Sequence, residues 1–262
     1  CRRQRQMCIR DSFYTAEKLP KFIEEVETPA QARKNKKAWP SVTTVLGLVK
    51  DSFLDSIYIP SKTVELARDE NLKDRTWKEI KDMTYGFRKH PWTGEDIPSS
   101  EFGTAIHKRI EEILQGDNAE DASPWDDWAM PFVKWVNEED IELMATEYVV
   151  GHPRLKIAGS IDFVGKRKDG KIFLADYKTR NCKGSGVFYP KDCKQLIIES
   201  WMLQRLLKLD YTPDCLSVSI CTSTAEHYHL WWSEKAKTHY LDAAKQAARL
   251  YWTERMCIQP KR

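Results

Sequence analysis

The sequence predicts an α/β fold, with a central mixed β-sheet flanked by helices and an N-terminal helical extension before it. Three observations predict it. Upstream of Ile141 apolar residues recur at three- and four-residue spacing, as on helices, and over 141–179 they change to strand-like runs. The dipeptide Asp169-Gly170 between two of those runs is a strong short hairpin signal. After the third run come a helix, two strands and a closing helix, an order that suits one sheet covered by helices.

The elements follow in order. Residues 1–12 hold four arginines and two cysteines with no apolar period; they are set aside as a non-native leader, a basic nucleic-acid-binding arm being the other reading. Residues 13–38 form a charged, flexible lead-in. The N-terminal helical region spans 39–100: "PSVTTVLGLV" starts a helix, 51–90 keep near-helical spacing, and 89–100, full of turn-formers, read as a loop. The core spans 101–256. Ser100 is placed to cap a helix carrying Phe102, Ile106, Ile110, Ile113 and Leu114, with Gly116 ending it. Trp125, Trp128, Phe132, Trp135 and Val136 mark a second helix, with Pro131 placed to kink it. Strands follow at 141–150, 154–165 and 171–179, a helix at 190–209, strands at 214–223 and 226–233, and a last helix from 234. There is no internal repeat.

Composition narrows the class. The chain has 262 residues, 41% hydrophobic and 31% charged, which suits one domain of ordinary size. No apolar stretch approaches the about 18 residues of a membrane span. Seven cysteines without a CxxC pair favour reduced thiols and a cytoplasmic setting. A net charge of +3 leaves nucleic-acid binding open, since 42 Lys and Arg can gather on one face.

The chemistry-bearing feature is "AGSIDFVGKRKDGKIFLADYKTR". On a strand, residues two apart share a face, so Asp176 and Lys178 sit side by side with Tyr177 turned away. A two-residue Asp169-Gly170 turn puts Asp176 opposite Phe163, one step from Asp162; a one-residue shift of register puts the two aspartates face to face. Carboxylates that close repel unless a cation lies between them. Hard oxygen donors select Mg²⁺ or Mn²⁺, and such a site suits hydrolysis of a phosphodiester, with Lys178 serving the attacking water and the developing charge. The plain alternative is a cross-strand salt bridge on a solvated face. Two features favour the metal. His107 and Glu111 lie four apart on one helix face, and Gln195 opens the helix after the third strand.

The ordered set "GTAIHKRIEEIL", "TEYVV", "AGSIDFVG", "FLADYKT" and "KQLIIESWML" resembles the PD-(D/E)XK nuclease superfamily, within it the RecB-like and Cas4-like exonuclease group and its phage and metagenomic members. The upstream "PSVTTVL" extends the resemblance to about residues 39–210. It implies a restriction-endonuclease-like core and a metal-dependent DNA exonuclease of replication, recombination or repair. It implies His107 and Asp162 as metal ligands, Asp176 as the second carboxylate, Lys178 as the catalytic lysine, the Tyr177 carbonyl as a backbone ligand, and Gln195 as the glutamine of a Q-x-x-x-Y motif. DNA is the implied partner, as single strands or duplex ends, with recombination or replication proteins beside it in a bacterial or phage-infected cytoplasm. Two departures stand out. The Tyr expected four residues after Gln195 is Glu199, and Cys182, Cys193, Cys215, Cys221 and Cys257 are too scattered for the iron–sulfur cluster of some relatives. Glu147 falls where relatives often have an acid and reads equally as a supporting residue or a buried ion-pair partner; Glu111 reads as supporting or as an ordinary surface acid.

The remaining features have plain readings. The tryptophans of 125–135 suit core better than base stacking. His227 and His229 share a strand face without further zinc ligands. "NCKGSGVF" lacks a nucleotide-loop pattern and reads as a substrate-facing loop, where Lys183, Lys191 and Lys194 can meet phosphates. Within the nuclease reading, a structure-specific endonuclease is the alternative activity; a non-catalytic nucleic-acid-binding protein is the alternative class.

Overall fold

A computed structural model describes residues 13–15, 38–46, 75–116 and 121–258. The expected leader at 1–12, most of the lead-in and the helical spacing over 51–74 lie outside them. In chain order the elements are β1 (Phe13–Thr15), β2 (Ala38–Pro40), α1 (Val42–Leu46), α2 (Trp77–Tyr85), β3 (Phe87–Lys89), β4 (Asp96–Pro98), α3 (Ser99–Leu114), α4 (Asp126–Glu138), β5 (Glu142–His152), β6 (Ile157–Lys166), β7 (Ile172–Arg180), α5 (Pro190–Leu207), β8 (Asp214–Cys221), β9 (His227–Trp231) and α6 (Glu234–Ile258).

The protein is α/β. Its five-stranded mixed sheet runs β5-β6-β7-β8-β9, antiparallel except at β7–β8, where α5 makes the crossover that a parallel pair requires. Alternation along β7 shows why both faces are covered: Ile172 and Leu174 join one apolar cluster with α1, α5 and α6, while Phe173, Ala175 and Tyr177 join another with α3 and α4. Phe102, Ile106 and Ile110, one turn apart, are the buried stripe of α3. On α4, Phe132 lies 4.8 Å from the Tyr177 ring and 5.4 Å from Phe163, so cutting it to alanine is worth roughly 3–5 kcal/mol.

Several expectations are corrected. Of residues 89–100 only 90–95 are a loop: they turn between β3, which ends at Lys89, and β4, which pairs with it, and α3 begins at Ser99 with Pro98 before it and no side-chain cap, so Ser100 is not the cap. Ser99 instead ties the helix start to the hairpin, its Oγ donating to the Gly86 carbonyl at 2.8 Å. Residues 153–156 turn rather than extend, because His152 accepts the Leu155 and Lys156 amides on Nδ1 and its carbonyl, and β6 starts at Ile157. The Asp169-Gly170 turn spans three residues, not two: Arg167 pairs with Lys171 across it, with Gly170 left-handed at φ 82°. Phe163 therefore faces Ala175 instead of Asp176. Finally, Cys182 and Cys221 form a disulfide, Cα–Cα 5.3 Å, where reduced thiols were expected. The parallel register sets Arg180 beside Cys221, which brings the two cysteines together from 39 residues apart.

Candidate metal centre where β6 and β7 part

The β6–β7 ladder stops at Phe163–Ala175, so the next residues, Asp162 and Asp176, face each other where the strands separate. Asp162 replaces the missing ladder bond, its Oδ2 accepting the Tyr177 N–H at 3.0 Å. Both carboxylates are buried. Burial pushes the Asp162 carboxyl above its ordinary range, against the pull of Lys178 and the Tyr177 amide, and it pushes Asp176 up to about 6.

Three side chains from three elements converge at Asp162. His107, on the third turn of α3, sets Nδ1 3.6 Å from Asp162 Oδ2, with its ring edge-on to Tyr177 at 5.4 Å. Burial, reinforced by the Lys178 ammonium, lowers the imidazole to about 4, so it is neutral at pH 7, and its buried Nδ1 has no hydrogen-bond partner. Glu147 lies opposite Asp162, between the Thr146–Phe163 and Tyr148–Ile161 pairs of the β5–β6 ladder. Its φ of 46° is left-handed, a strained state for a residue inside a strand. Ser160 Oγ donates to its Oε2 at 2.9 Å, and burial followed by the nearby Asp162 raises its carboxyl to about 8. Ligand atoms of His107, Glu147 and Asp162 lie within 4.8 Å of one another. An unpartnered imidazole nitrogen facing two carboxylates short of positive charge fits a divalent cation.

A second group adjoins it. Asp176 Oδ1 accepts Lys178 Nζ at 2.5 Å and Gln195 Nε2 at 3.1 Å, and its buried Oδ2 has no partner. Burial alone would lower the Lys178 ammonium; Asp176 and Asp162 outweigh it and hold the lysine above its ordinary value, hence charged. One nitrogen of Arg180 bridges both oxygens of buried Asp192, at 3.0 and 3.1 Å, fixing the first turn of α5 against β7 and so placing Gln195 one turn later.

Glu199 is the residue whose part the sequence did not show. It is buried, its Oε1 lies 3.5 Å from Gln195 Nε2, its Oε2 has no partner, and burial followed by Asp176 and Asp162 pushes its carboxyl well up. Room for it comes from Gly159, where a Cβ would lie 2.6 Å from Glu199 Oε1. The available signals were its i+4 spacing from Gln195 and the Gly-Ser before Ile161-Asp162.

Other expected residues stand apart from the cluster. Glu111 turns toward Gln115 and Thr146, at 3.2 and 3.4 Å, and is not one of the converging ligands, though its charge lies near enough to add to the upward push on the Glu147 carboxyl. Lys183 is exposed on the loop after β7, and Lys191 and Lys194 lie over the Tyr189 and Tyr240 rings at 5.4 and 5.8 Å. The histidines of β9 pack: His227 Nε2 is 2.7 Å from the Trp128 carbonyl and His229 is edge-on to Trp135 at 4.6 Å. Among the described residues no helix is long and apolar enough to cross a membrane.

No family model and no curated protein matches the chain. Among solved structures, an exonuclease candidate from Eubacterium rectale matches at TM-score 0.43 and 9% identity, over 64% of this chain and 72% of that one. The protein SSO0001 matches at TM-score 0.32 and 15% identity, over 68% and 69%. At those scores neither likeness bears on the chemistry, which the side chains must carry.

Proposed function

We propose that the chain is a Mg²⁺- or Mn²⁺-dependent deoxyribonuclease, an exonuclease acting on DNA ends. The observation that carries the reading is the convergence of His107 Nδ1, Glu147 and Asp162 within 4.8 Å, beside the linked Asp176, Lys178 and Gln195. His107, Glu147 and Asp162 would hold the ion, with the free Asp176 Oδ2 adjacent. One imidazole among carboxylates shifts the preference from Mg²⁺ toward Mn²⁺. When bound, such an ion polarises the phosphodiester and acidifies a water.

The protein's own groups do the rest. Lys178, with its side chain 29% exposed, reaches the open edge of the site while Asp176 anchors its ammonium. Held charged, it donates hydrogen bonds to an attacking water or to a phosphate oxygen, and it does not accept the water's proton. Gln195 keeps Asp176 turned toward Lys178. Against a purely structural role, neither Glu147 nor Asp162 makes a direct ion pair with a lysine or arginine among the described residues, Lys178 acting on them only from beyond ion-pair distance, and a neutral His107 neutralises neither.

The test is degradation of an end-labelled linear duplex and a closed circle in Mn²⁺, Mg²⁺ or EDTA. An exonuclease degrades the linear DNA only, and only with metal. Cutting of the circle would make the protein an endonuclease of the same chemistry, and unchanged degradation by Asp162→Asn would refute the assignment of the site.

A further inference from the structure

We propose that the cavity between the β3–β4 hairpin, the first turn of α3 and the ends of β7 and β8 is a subsite for one internal phosphodiester of the nucleic-acid strand. The choice of nucleic acid rests on the nuclease reading; the anion site rests on the cavity itself. Its volume is about 250 Å³, and Tyr85, Arg88, Ser99, Ser100, Thr179 and Thr222 line it. None carries a carboxylate, and each carries a hydrogen-bond donor, although the Ser99 and Thr222 hydroxyls already donate to the Gly86 and Arg180 carbonyls and would have to turn to meet an anion.

Arg88 sets this place apart. Three arginines of the fold hold carboxylates, Arg109 with Asp126, Arg167 with Asp214 and Arg180 with Asp192; among the described arginines that hold none, Arg154, Arg205 and Arg249 included, Arg88 is the one with a buried, unpartnered Nε. Among the described residues Arg88 makes no ion pair; its NH1 donates to the neighbouring Phe87 carbonyl at 3.0 Å, and its Nε is buried without a partner. A guanidinium left unneutralised among hydroxyls is suited to an oxyanion. Its single charge matches a phosphodiester, which carries one negative charge, better than a terminal phosphate, which carries nearly two. The walls are set in advance, because Ser99 binds the Gly86 carbonyl through both its amide and its hydroxyl.

The position suits a strand passing the metal centre. Thr179 follows Lys178 directly on β7. Along α3, Ser100 lies about 10 Å from His107 at 1.5 Å per residue, or about three axial steps of a duplex strand. A phosphate in the cavity would fix which phosphodiester reaches His107, a contact that sets register without reading bases.

The test compares wild type, Arg88→Ala, Arg88→Lys and Thr222→Val on oligonucleotides ending in 5′-hydroxyl or 5′-phosphate. Degradation is followed in Mn²⁺, and binding in EDTA by fluorescence anisotropy across a salt series. Arg88→Ala is expected to raise KM and Kd by about 10- to 100-fold with kcat unchanged, equally for both ends, and to reduce the salt slope by about one. Arg88→Lys should keep the slope. Thr222→Val should weaken binding less and leave the slope as it was. In parallel, wild type is offered oligonucleotides with one neutral methylphosphonate at successive positions, and a single position about three nucleotides from the cut should weaken binding. The proposal is overturned if Arg88→Ala melts like wild type yet binds with the same Kd and slope, if the effect is confined to 5′-phosphorylated ends, or if no methylphosphonate position stands out. A wild type that binds in this Arg88-dependent way but never cuts DNA upholds the subsite and refutes the nuclease reading alone.

Discussion

Replacing Glu147 with glutamine should stabilise the metal-free protein while disabling it. Burial and Asp162 raise the Glu147 carboxyl from 4.5 to about 8. In the unfolded chain it ionises near 4.5, so the folded state binds the proton more tightly. The stability carried by that proton is complete below pH 4.5, falls as pH rises, and is gone above about 8. At about 1.4 kcal/mol for each tenfold, the loss by pH 7 is roughly 3 kcal/mol. Glutamine is neutral at every pH and can still accept from Ser160 Oγ, which now sits 2.9 Å from Oε2. In EDTA, Glu147→Gln should therefore melt about 5–10 °C above wild type at pH 7.5 and level with it at pH 4.5. Mn²⁺ should raise the wild-type melting temperature at pH 7.5, where the ion favours the ionised carboxylate, and leave the variant nearly unmoved. Thermal melts of both proteins at the two pH values, with EDTA or Mn²⁺, read all of this. A variant no more stable than wild type at pH 7.5, or a gap that does not widen with pH, would refute the reasoning.

Three further outcomes are expected. Lys178→Met leaves Asp176 buried without its cation and should cost about 3–5 kcal/mol in urea melts, largely recovered in Lys178→Met/Asp176→Asn; both should lose Mn²⁺-dependent DNA degradation by at least about 100-fold. Gly159→Ala sets a Cβ against Glu199 Oε1 and 3.2 Å from Val42 Cγ2, for a loss of about 1–3 kcal/mol; adding Glu199→Ala should recover most of it, and equal stability of the single variant and wild type would show that Glu199 does not lie there. Reducing Cys182–Cys221 opens a loop between cysteines 39 residues apart, so dithiothreitol should lower stability by about 2–4 kcal/mol in wild type but not in Cys182→Ser.

The sheet was readable in the sequence because both faces of β7 are covered: "KIFLADYKT" is nearly continuous in apolar residues, and its few charges could only be out of place or at work. The helices around it were readable for the same reason, since Phe102, Ile106 and Ile110 repeat at the spacing of one buried face. His107, Asp162, Asp176, Lys178 and Gln195 are named from strand alternation, helical spacing and the resemblance, and the structure brings them together: His107 meets Asp162, and Lys178 and Gln195 meet Asp176. Glu147 could be named but not ranked above Glu111. Its place opposite Asp162 depends on the β5–β6 register, which carries an irregularity between Leu143 and Ala145 that no local pattern announces.

Periodicity and turn residues are local, so the sequence by itself determined the elements of the core from α3 onward to within a few residues, their order, the two apolar faces of the sheet and the residues able to carry chemistry, but not the β3–β4 hairpin. Long-range geometry decided the rest. A third residue in the β6–β7 turn moved Asp176 level with Asp162, the parallel β7–β8 register brought Cys182 to Cys221, and Gly159 made room for Glu199. The ends of four distant segments left Arg88 in a cavity without a carboxylate. A pattern of spacings says which face a side chain takes; only the assembled chain says what stands opposite it, and burial among those neighbours is what shifts a carboxyl or leaves a guanidinium unpaired.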